Sequence, residues 1–212
     1  MPGARRLMVV LEEDGVRLRP LRYRDRAAWH QVRAANAAWL APWEATSPVP
    51  GPPVGFAAYV AQCRRQTRRG EGLPFVIEVE GELVGQLSVS SIVMGAARSA
   101  SIGYWVSRDL AGRGIVPTAV AMAADDCFTR LGLHRLEINI RPENTASLRV
   151  VEKLGFRDEG VRRRYLHIAG DWRDHRTFAL LAEEVPEGLL ERWRRSRGRH
   201  AGDVPGSGPA HG

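Results

Sequence analysis

The chain has 212 residues, 44% of them hydrophobic, with no long apolar run, a composition that fits one soluble domain plus a short appendage and excludes a membrane-spanning helix and a signal peptide. Thirty-one Lys and Arg against 24 Asp and Glu give a formal net charge of +7, which points to an anionic partner such as a polyphosphate cofactor, RNA or a ribosomal surface, although the absence of a helix-turn-helix, zinc or RNA-binding motif argues against nucleic-acid binding as the sole function. Two cysteines, Cys63 and Cys127, lack metal-ligand spacing and read as buried thiols of a reducing cytoplasm.

From Leu7 to Leu21 the pattern is two short strands around Asp14-Gly15, a favoured hairpin dipeptide. Asp25 then caps a helix whose apolar positions are Ala27, Trp29, Val32 and Ala35. Trp39-Leu40-Ala41-Pro42-Trp43-Glu44 places two large rings and a carboxylate in a Pro-broken loop, suited equally to sealing the core edge and to lining a substrate pocket. Ser47 to Pro53 is a Pro-rich surface loop. Phe56, Tyr59, Val60 and Cys63 recur at helical spacing and lead into Arg64, Arg65, Arg68 and Arg69, a basic run of the kind that usually forms a solvated face. A hairpin follows, with Phe75 to Val79 and Leu83 to Val89 flanking Glu80-Gly81-Glu82.

The next stretch organises the rest. Ala100, Ile102, Tyr104 and Val106 alternate with Ser101, Gly103, Trp105 and Ser107, the period of a strand. Beyond Ala111-Gly112-Arg113-Gly114, the residues Val116, Ala119, Val120, Ala123, Cys127, Phe128 and Leu131 fall at helical spacing, with Pro117 in the first turn and Gly132 at the stop. Two glycines therefore sit at a helix N-terminus, where bare N–H groups and the helix dipole accommodate a phosphate, or else simply permit a tight turn. No Gly-x-x-x-x-Gly-Lys-Ser/Thr run exists, and the third glycine of a dinucleotide fold is missing. Arg135 to Ile140 alternates again, so strand, helix and strand make a parallel crossover. Asn144 caps a short helix with Leu148, Val151 and Leu154 inward and Gly155 past its end. Two further strands surround Ala169-Gly170-Asp171, the second running through Thr177 to Leu181. Pro186 starts a terminal helix around Leu189, Leu190 and Trp193. The expected domain is 1–193; residues 194–212 are basic, then rich in Gly, Pro and Ser, and are expected to lack structure.

Several of these segments carry a resemblance. Ile102-Gly103-Tyr104-Trp105, the loop from Ala111 to Val116, Asn144-x-x-Ser147 leading to Lys153-Leu154-Gly155-Phe156, and Gly170-Asp171-Trp172-Arg173-Asp174-His175 resemble, in order and spacing, the GNAT superfamily of acetyl-CoA-dependent N-acetyltransferases. Pro42-Trp43-Glu44 and the last of these segments are similar to its RimJ/RimL branch. The superfamily loop is Gln/Arg-x-x-Gly-x-Gly/Ala, of which only Gly114 is kept. What the resemblance implies is a mixed α/β (α+β) fold with a central twisted sheet of about seven strands, flanked by helices and splayed at a parallel pair. It also implies acetyl-CoA as cosubstrate without a metal, its pyrophosphate on Gly112, Arg113, Gly114, Ile115 and Val116 and its pantetheine arm beside Trp105, Val106, Asn139 and Asn144.

Acetyl transfer by direct attack of an amine needs little base if the amine is an α-amino group, whose reference pKa is about 7.7–8.0. The backbone N–H near Val106 is the expected oxyanion donor. The tyrosine that many relatives place four residues before the glycine of Gly-Phe is Val151 here, so Ser147 is the expected donor to the leaving thiolate. Glu44 is the expected base, through water. Trp39, Trp43 and Trp172 are expected to bind the acceptor. The implied function is acetylation of the N-terminal α-amine, Ala foremost, of a ribosomal or other protein by a cytoplasmic monomer or homodimer, with ribosome or RNA contact through the basic surface and no membrane contact. A small-molecule amine or antibiotic acceptor, and a non-catalytic acetyl-CoA-binding module, are the alternatives.

Overall fold

At Asp14-Gly15, Glu80-Gly81 and Ala169-Gly170 both residues have positive φ, the backbone that a two-residue hairpin needs to match the twist of its strands. The first turn folds β1 (Leu11–Glu13) onto β2 (Val16–Pro20), the second joins β3 (Leu73–Val79) to β4 (Glu82–Val93), and the third joins β7 (Arg157–Ile168) to β8 (Asp171–Leu181). With β5 (Ser99–Val106) and β6 (Arg135–Ile140) these strands form one eight-stranded sheet in the order β1-β2-β3-β4-β5-β6-β8-β7. That is one more than the expected seven, the three-residue β1 being an edge. The chain is described by a computed structural model over residues 9–49 and 51–202.

Helices cover both faces. On one lie α4 (Ile115–Thr129), α5 (Thr145–Leu154) and α6 (Leu189–Gly202), and on the other α1 (Arg26–Ala35), the single turn α2 (Ala37–Leu40) and α3 (Phe56–Arg69). The alternation of β3 shows the division, for Phe75 and Ile77 pack in the core around α4 whereas Val76 packs against Leu21, Phe56 and Val60 on the opposite side. A strand covered on both faces has no polar side to show, hence its near-continuous apolar run. For the same reason α4, whose residues Ile115 to Ala124 are all buried, lacks the charged face of a surface helix.

Three details differ from the sequence reading. Asp25 makes no side-chain cap to α1; its buried carboxylate accepts from Arg19 at 2.7 Å and from the Arg22 N–H at 2.7 Å. Arg19 also meets Glu78 at 2.6 Å, and a buried guanidinium claims such partners ahead of a helix end because its charge cannot be left unpaired. The terminal helix starts at Leu189 rather than Pro186, where the Asp125 carboxylate of α4 accepts from the N–H groups of Leu189 (2.6 Å) and Leu190 (3.1 Å). It also runs on to Gly202, so the basic first half of the expected structureless tail is helical. Arg194 reaches Glu13 and Arg197 reaches Asp14, each at 2.7 Å, which ties that half to the β1 hairpin. Residues 203–212, like the expected strand positions Leu7 and Met8, lie outside the described residues.

The feature that positions the site is a wedge in the sheet. The parallel pairing of β5 and β6 covers only Ser99–Ser101 against Arg135–Glu137. Beyond it Ile102–Val106 stay paired with β4 and Ile138–Ile140 with β8, so the two strands part. Backbone groups facing such a gap need water or a ligand.

Candidate active site

Strand alternation decides which groups face the wedge. The Ser107 N–H donates to the Val84 carbonyl at 2.8 Å, so Ser107, and two residues before it Trp105, turn their backbone toward β4, while Tyr104 and Val106 turn theirs into the gap. The expected role of the Trp105 main chain therefore passes to Tyr104, and Trp105 contributes its indole. Val106 already has its carbonyl occupied by the Trp39 indole N–H at 3.2 Å, which leaves its N–H directed into the wedge. Asn36, buried between α1 and α2, fixes this corner: its amide donates to Ser107 Oγ at 3.0 Å and its Oδ1 accepts from the Arg108 N–H at 2.9 Å. The sequence reading passed over Asn36, because its partners lie some 70 residues away.

At the wide end lies the glycine loop. Gly114 is the N-cap of α4 with φ of 82°, a left-handed conformation that side chains rarely adopt. Its neighbour Gly112 has φ of 83° and open space where a Cβ would stand. The first N–H groups of α4 are thus uncovered at the positive end of a buried helix. Arg113, expected to add charge here, is exposed and is not among the residues that line the cavity at this loop. The cations that do line it are Arg149 and Lys153, one turn apart on α5, and neither forms an ion pair among the described residues. Their i, i+4 spacing is the signal that would have found them.

Loop, wedge and α5 enclose a cavity of about 340 Å³. Among its walls are the expected residues Trp39, Trp43, Trp105, Val106, Gly112, Gly114, Ile115, Val116, Asn144 and Ser147. Asn144 caps α5, accepting from the Ser147 N–H at 3.1 Å, and so presents Ser147 on the first turn. Tyr104 also lines the cavity. Its hydroxyl is buried without a hydrogen-bond partner among the described residues, an arrangement that costs about 1–3 kcal/mol until a partner is supplied. Burial pushes its pKa up.

Besides Arg113, three expected residues lie elsewhere. The Asn139 Oδ1 accepts from Thr177 Oγ1 at 2.8 Å on the opposite sheet face, since Ile138 and Ile140 take the core side of β6. Trp172 is 44% exposed at the end of the β7–β8 hairpin, its ring against His167. The Thr46 N–H donates to the His167 carbonyl at 2.8 Å, tying that hairpin to the loop that carries Glu44. Glu44 itself lines a second cavity of about 290 Å³, with Trp29, His30, Arg33, Val54, Phe56, Tyr59 and Gln86, and is paired there with Arg33.

Trp105 divides the two cavities. The residue lines the first, and its indole meets walls of the second at Trp29 (centroids 5.9 Å apart), Arg33 (5.4 Å above the ring) and Gln86, whose Oε1 accepts its N–H at 3.3 Å. Gln86 in turn donates to the Tyr59 hydroxyl at 2.7 Å. The cysteines take no part: both are buried thiols, and burial drives that of Cys127 up to about 12. Among the described residues no cluster of His, Cys, Asp or Glu has the makings of a metal site.

A splayed parallel pair with a glycine loop opening the helix between its strands is matched by residues 16–157, which fit the family described as Acetyltransferase (GNAT) domain. The chain belongs to the GNAT family. Within it the chain is of RimJ/RimL type: it is 43% identical to Mycobacterium smegmatis RimJ, solved in complex with CoA-disulfide, with a TM-score of 0.81 over 86% of this chain and 89% of that one. It is 30% identical to the [Ribosomal protein uS5]-alanine N-acetyltransferase of Escherichia coli over 77% of this chain and 87% of that protein. "Probable N-acetyltransferase YjcK" of Bacillus subtilis is 40% identical over 102 residues, so that match spans 56% of the relative's length.

This GNAT chain is an acetyl-CoA-dependent N-acetyltransferase, and its residues fit the cosubstrate. The uncovered N–H groups at Gly114, with Arg149 and Lys153 on the same cavity wall, suit a polyphosphate, and the Tyr104 backbone and Val106 N–H facing the wedge suit an amide-bearing arm. When bound, acetyl-CoA supplies the activated acetyl group as a thioester.

Proposed function

We propose that this enzyme acetylates the N-terminal α-amine, Ala foremost, of a ribosomal protein. The observation that carries the reading is the pair of cavities meeting at Trp105, one fitted to the cosubstrate and the other opening on the opposite sheet face under the loop of Trp39 to Glu44. An extended N-terminus entering the second cavity brings its first nitrogen to the wedge, and the E. coli relative carries a name of this specificity. The arginines at Arg22, Arg24, Arg26, Arg65 and Arg68, without ion pairs among the described residues, offer a basic surface for the ribosome; α3 meets the Tyr23 turn where Arg64 lies 4.5 Å above that ring. No described helix is long and apolar enough to cross a membrane, in keeping with work in the cytoplasm.

In this mechanism the Val106 N–H stabilises the oxyanion formed as the amine attacks. Ser147 donates to the departing sulfur as that oxyanion, its C–N bond already formed, collapses to the amide and the C–S bond breaks. Glu44 draws the cationic acceptor in and takes the surplus amine proton through water, and Trp39 and Trp43 position the chain. A polycationic acceptor, by contrast, would need several carboxylates, and the second cavity has Glu44 alone, shared with Arg33.

Thiol release from acetyl-CoA tests the acceptor. A peptide beginning with Ala should be turned over, and the same peptide blocked at its N-terminus but containing Lys should not; release from the blocked peptide alone would overturn the reading. For Ser147→Ala, turnover should fall by about 10²-fold while the acetyl-CoA dissociation constant holds. An equally fast variant removes Ser147 from the chemistry.

A further inference from the structure

We propose that Arg33 is the specificity residue that keeps polycationic amines out of the acceptor cavity. The inference rests on the reading of the second cavity given above and adds what that cavity rejects and why. Among the described residues lining it, Arg33 and Glu44 are the charged pair, and His30 and Tyr59 are the other titratable groups. Arg33 stands in the last turn of α1, where the negative end of the helix dipole favours a cation. Its guanidinium grips both carboxylate oxygens of Glu44, Nη2 donating to Oε2 at 2.7 Å and Nη1 meeting Oε1. It also lies 5.4 Å over the Trp105 ring, at the boundary between the two cavities. A fork held by a carboxylate and an aromatic face has little freedom to step aside.

A cation so placed decides which amines can enter. A carboxylate has about four lone-pair sites, and Arg33 takes one on each oxygen, so Glu44 can still be shared by one α-ammonium. A peptide α-amine, with a reference pKa of about 7.7–8.0, reaches its neutral form readily and leaves no second charge behind. A linear polyamine is different. Its amines resemble that of lysine, at about 10.4, so whichever nitrogen approaches the wedge is accompanied by other ammonium groups. Those meet no second carboxylate among the described residues of the cavity, and they face a fixed guanidinium. Like charges at close quarters exclude a wrong partner even where its shape fits. Without the guanidinium, the Glu44 charge is unbalanced and the repulsion goes. Arg33→Met should therefore admit polyamines, Met keeping an unbranched stem against Trp105 and the helix propensity of α1. The transfer itself is unchanged: the same thioester gives its acetyl group to a different nitrogen.

The experiment follows thiol release from acetyl-CoA with spermidine and with a peptide beginning in Ala, in the wild type, R33M, R33K and the double variant R33M/E44Q. Calorimetric titration of spermidine into the CoA-bound enzymes gives a second readout that does not need turnover. R33M should raise the ratio of kcat/KM for spermidine over the Ala peptide about tenfold or more, mainly through a lower KM for spermidine. It should also bind spermidine about tenfold more tightly than the wild type. R33K keeps the charge and should keep the wild-type ratio. R33M/E44Q should lose the gain, and added salt should shrink it. No gain in R33M, in ratio or in affinity, overturns the proposal and leaves the α-amine reading standing. A gain that R33K shares, or that survives E44Q, overturns it as well, because shape rather than charge is then the filter. A wild type that prefers spermidine sinks both readings. A wild type that turns over neither acceptor removes the α-amine reading alone, and the titration still decides the role of Arg33.

Discussion

Gly114→Val should weaken acetyl-CoA binding by more than about tenfold, the equivalent of 1.4 kcal/mol, measured by calorimetric titration. Two effects add. Gly114 holds φ of 82° as the N-cap of α4, and a β-branched residue in the left-handed region costs at least about 1–2 kcal/mol. Its Cβ would also stand 3.5 Å from the Trp193 ring, an ordinary contact for one carbon but not for the two methyls beyond it. Trp193 cannot retreat, for its N–H is held by Thr118 Oγ1 at 2.9 Å inside the core. The loop would yield instead, turning the first N–H groups of α4 away from the phosphates. Gly112→Ala is the control: the same φ, but no atom within 4 Å of the added carbon, so only the conformational part of the loss should remain. Undiminished affinity in G114V would mean that the pyrophosphate lies elsewhere.

Much of this arrangement was legible in local pattern. The three hairpins follow from Asp14-Gly15, Glu80-Gly81 and Ala169-Gly170, because a two-residue turn depends on its own residues. The loop and first turn of α4, and the capping of α5 by Asn144, were legible for the same reason. What escaped depends on which side an element turns to its neighbours. Arg113 is adjacent to both glycines in sequence yet exposed, while Arg149 and Lys153 reach the cavity from another helix. Asn139 was expected at the cosubstrate, but alternation in β6 gives that side to Ile138 and Ile140 and leaves Asn139 with Thr177. Tyr104 was read as one more apolar position of β5. Its unpartnered hydroxyl became visible only once α5 was placed over it.

Gly85→Ala should lower stability by about 3 kcal/mol, the upper part of the range for overpacking, and hence the melting temperature by about 6–12 °C for a chain of this size. Nothing in its backbone forbids Ala, since its φ lies outside the left-handed range. The obstacle is distance. A Cβ on Gly85 would stand 2.3 Å from the Trp105 carbonyl oxygen and 3.0 Å from the Val106 Cα, and both are backbone atoms that no rotamer change can move. A strand glycine of this kind marks a close approach of two chains. Here the chains are β4 and the far end of β5, which pair as Gly85 with Val106. To admit a methyl group, β5 must shift away from β4, and the space open to it is the wedge toward β6. The variant should therefore bind acetyl-CoA more weakly as well as melt lower. Loss of stability with full affinity would show that the wedge keeps its width when β5 moves. Loss of both ties its width to this one contact: the same closeness that holds β5 against β4 keeps it apart from β6.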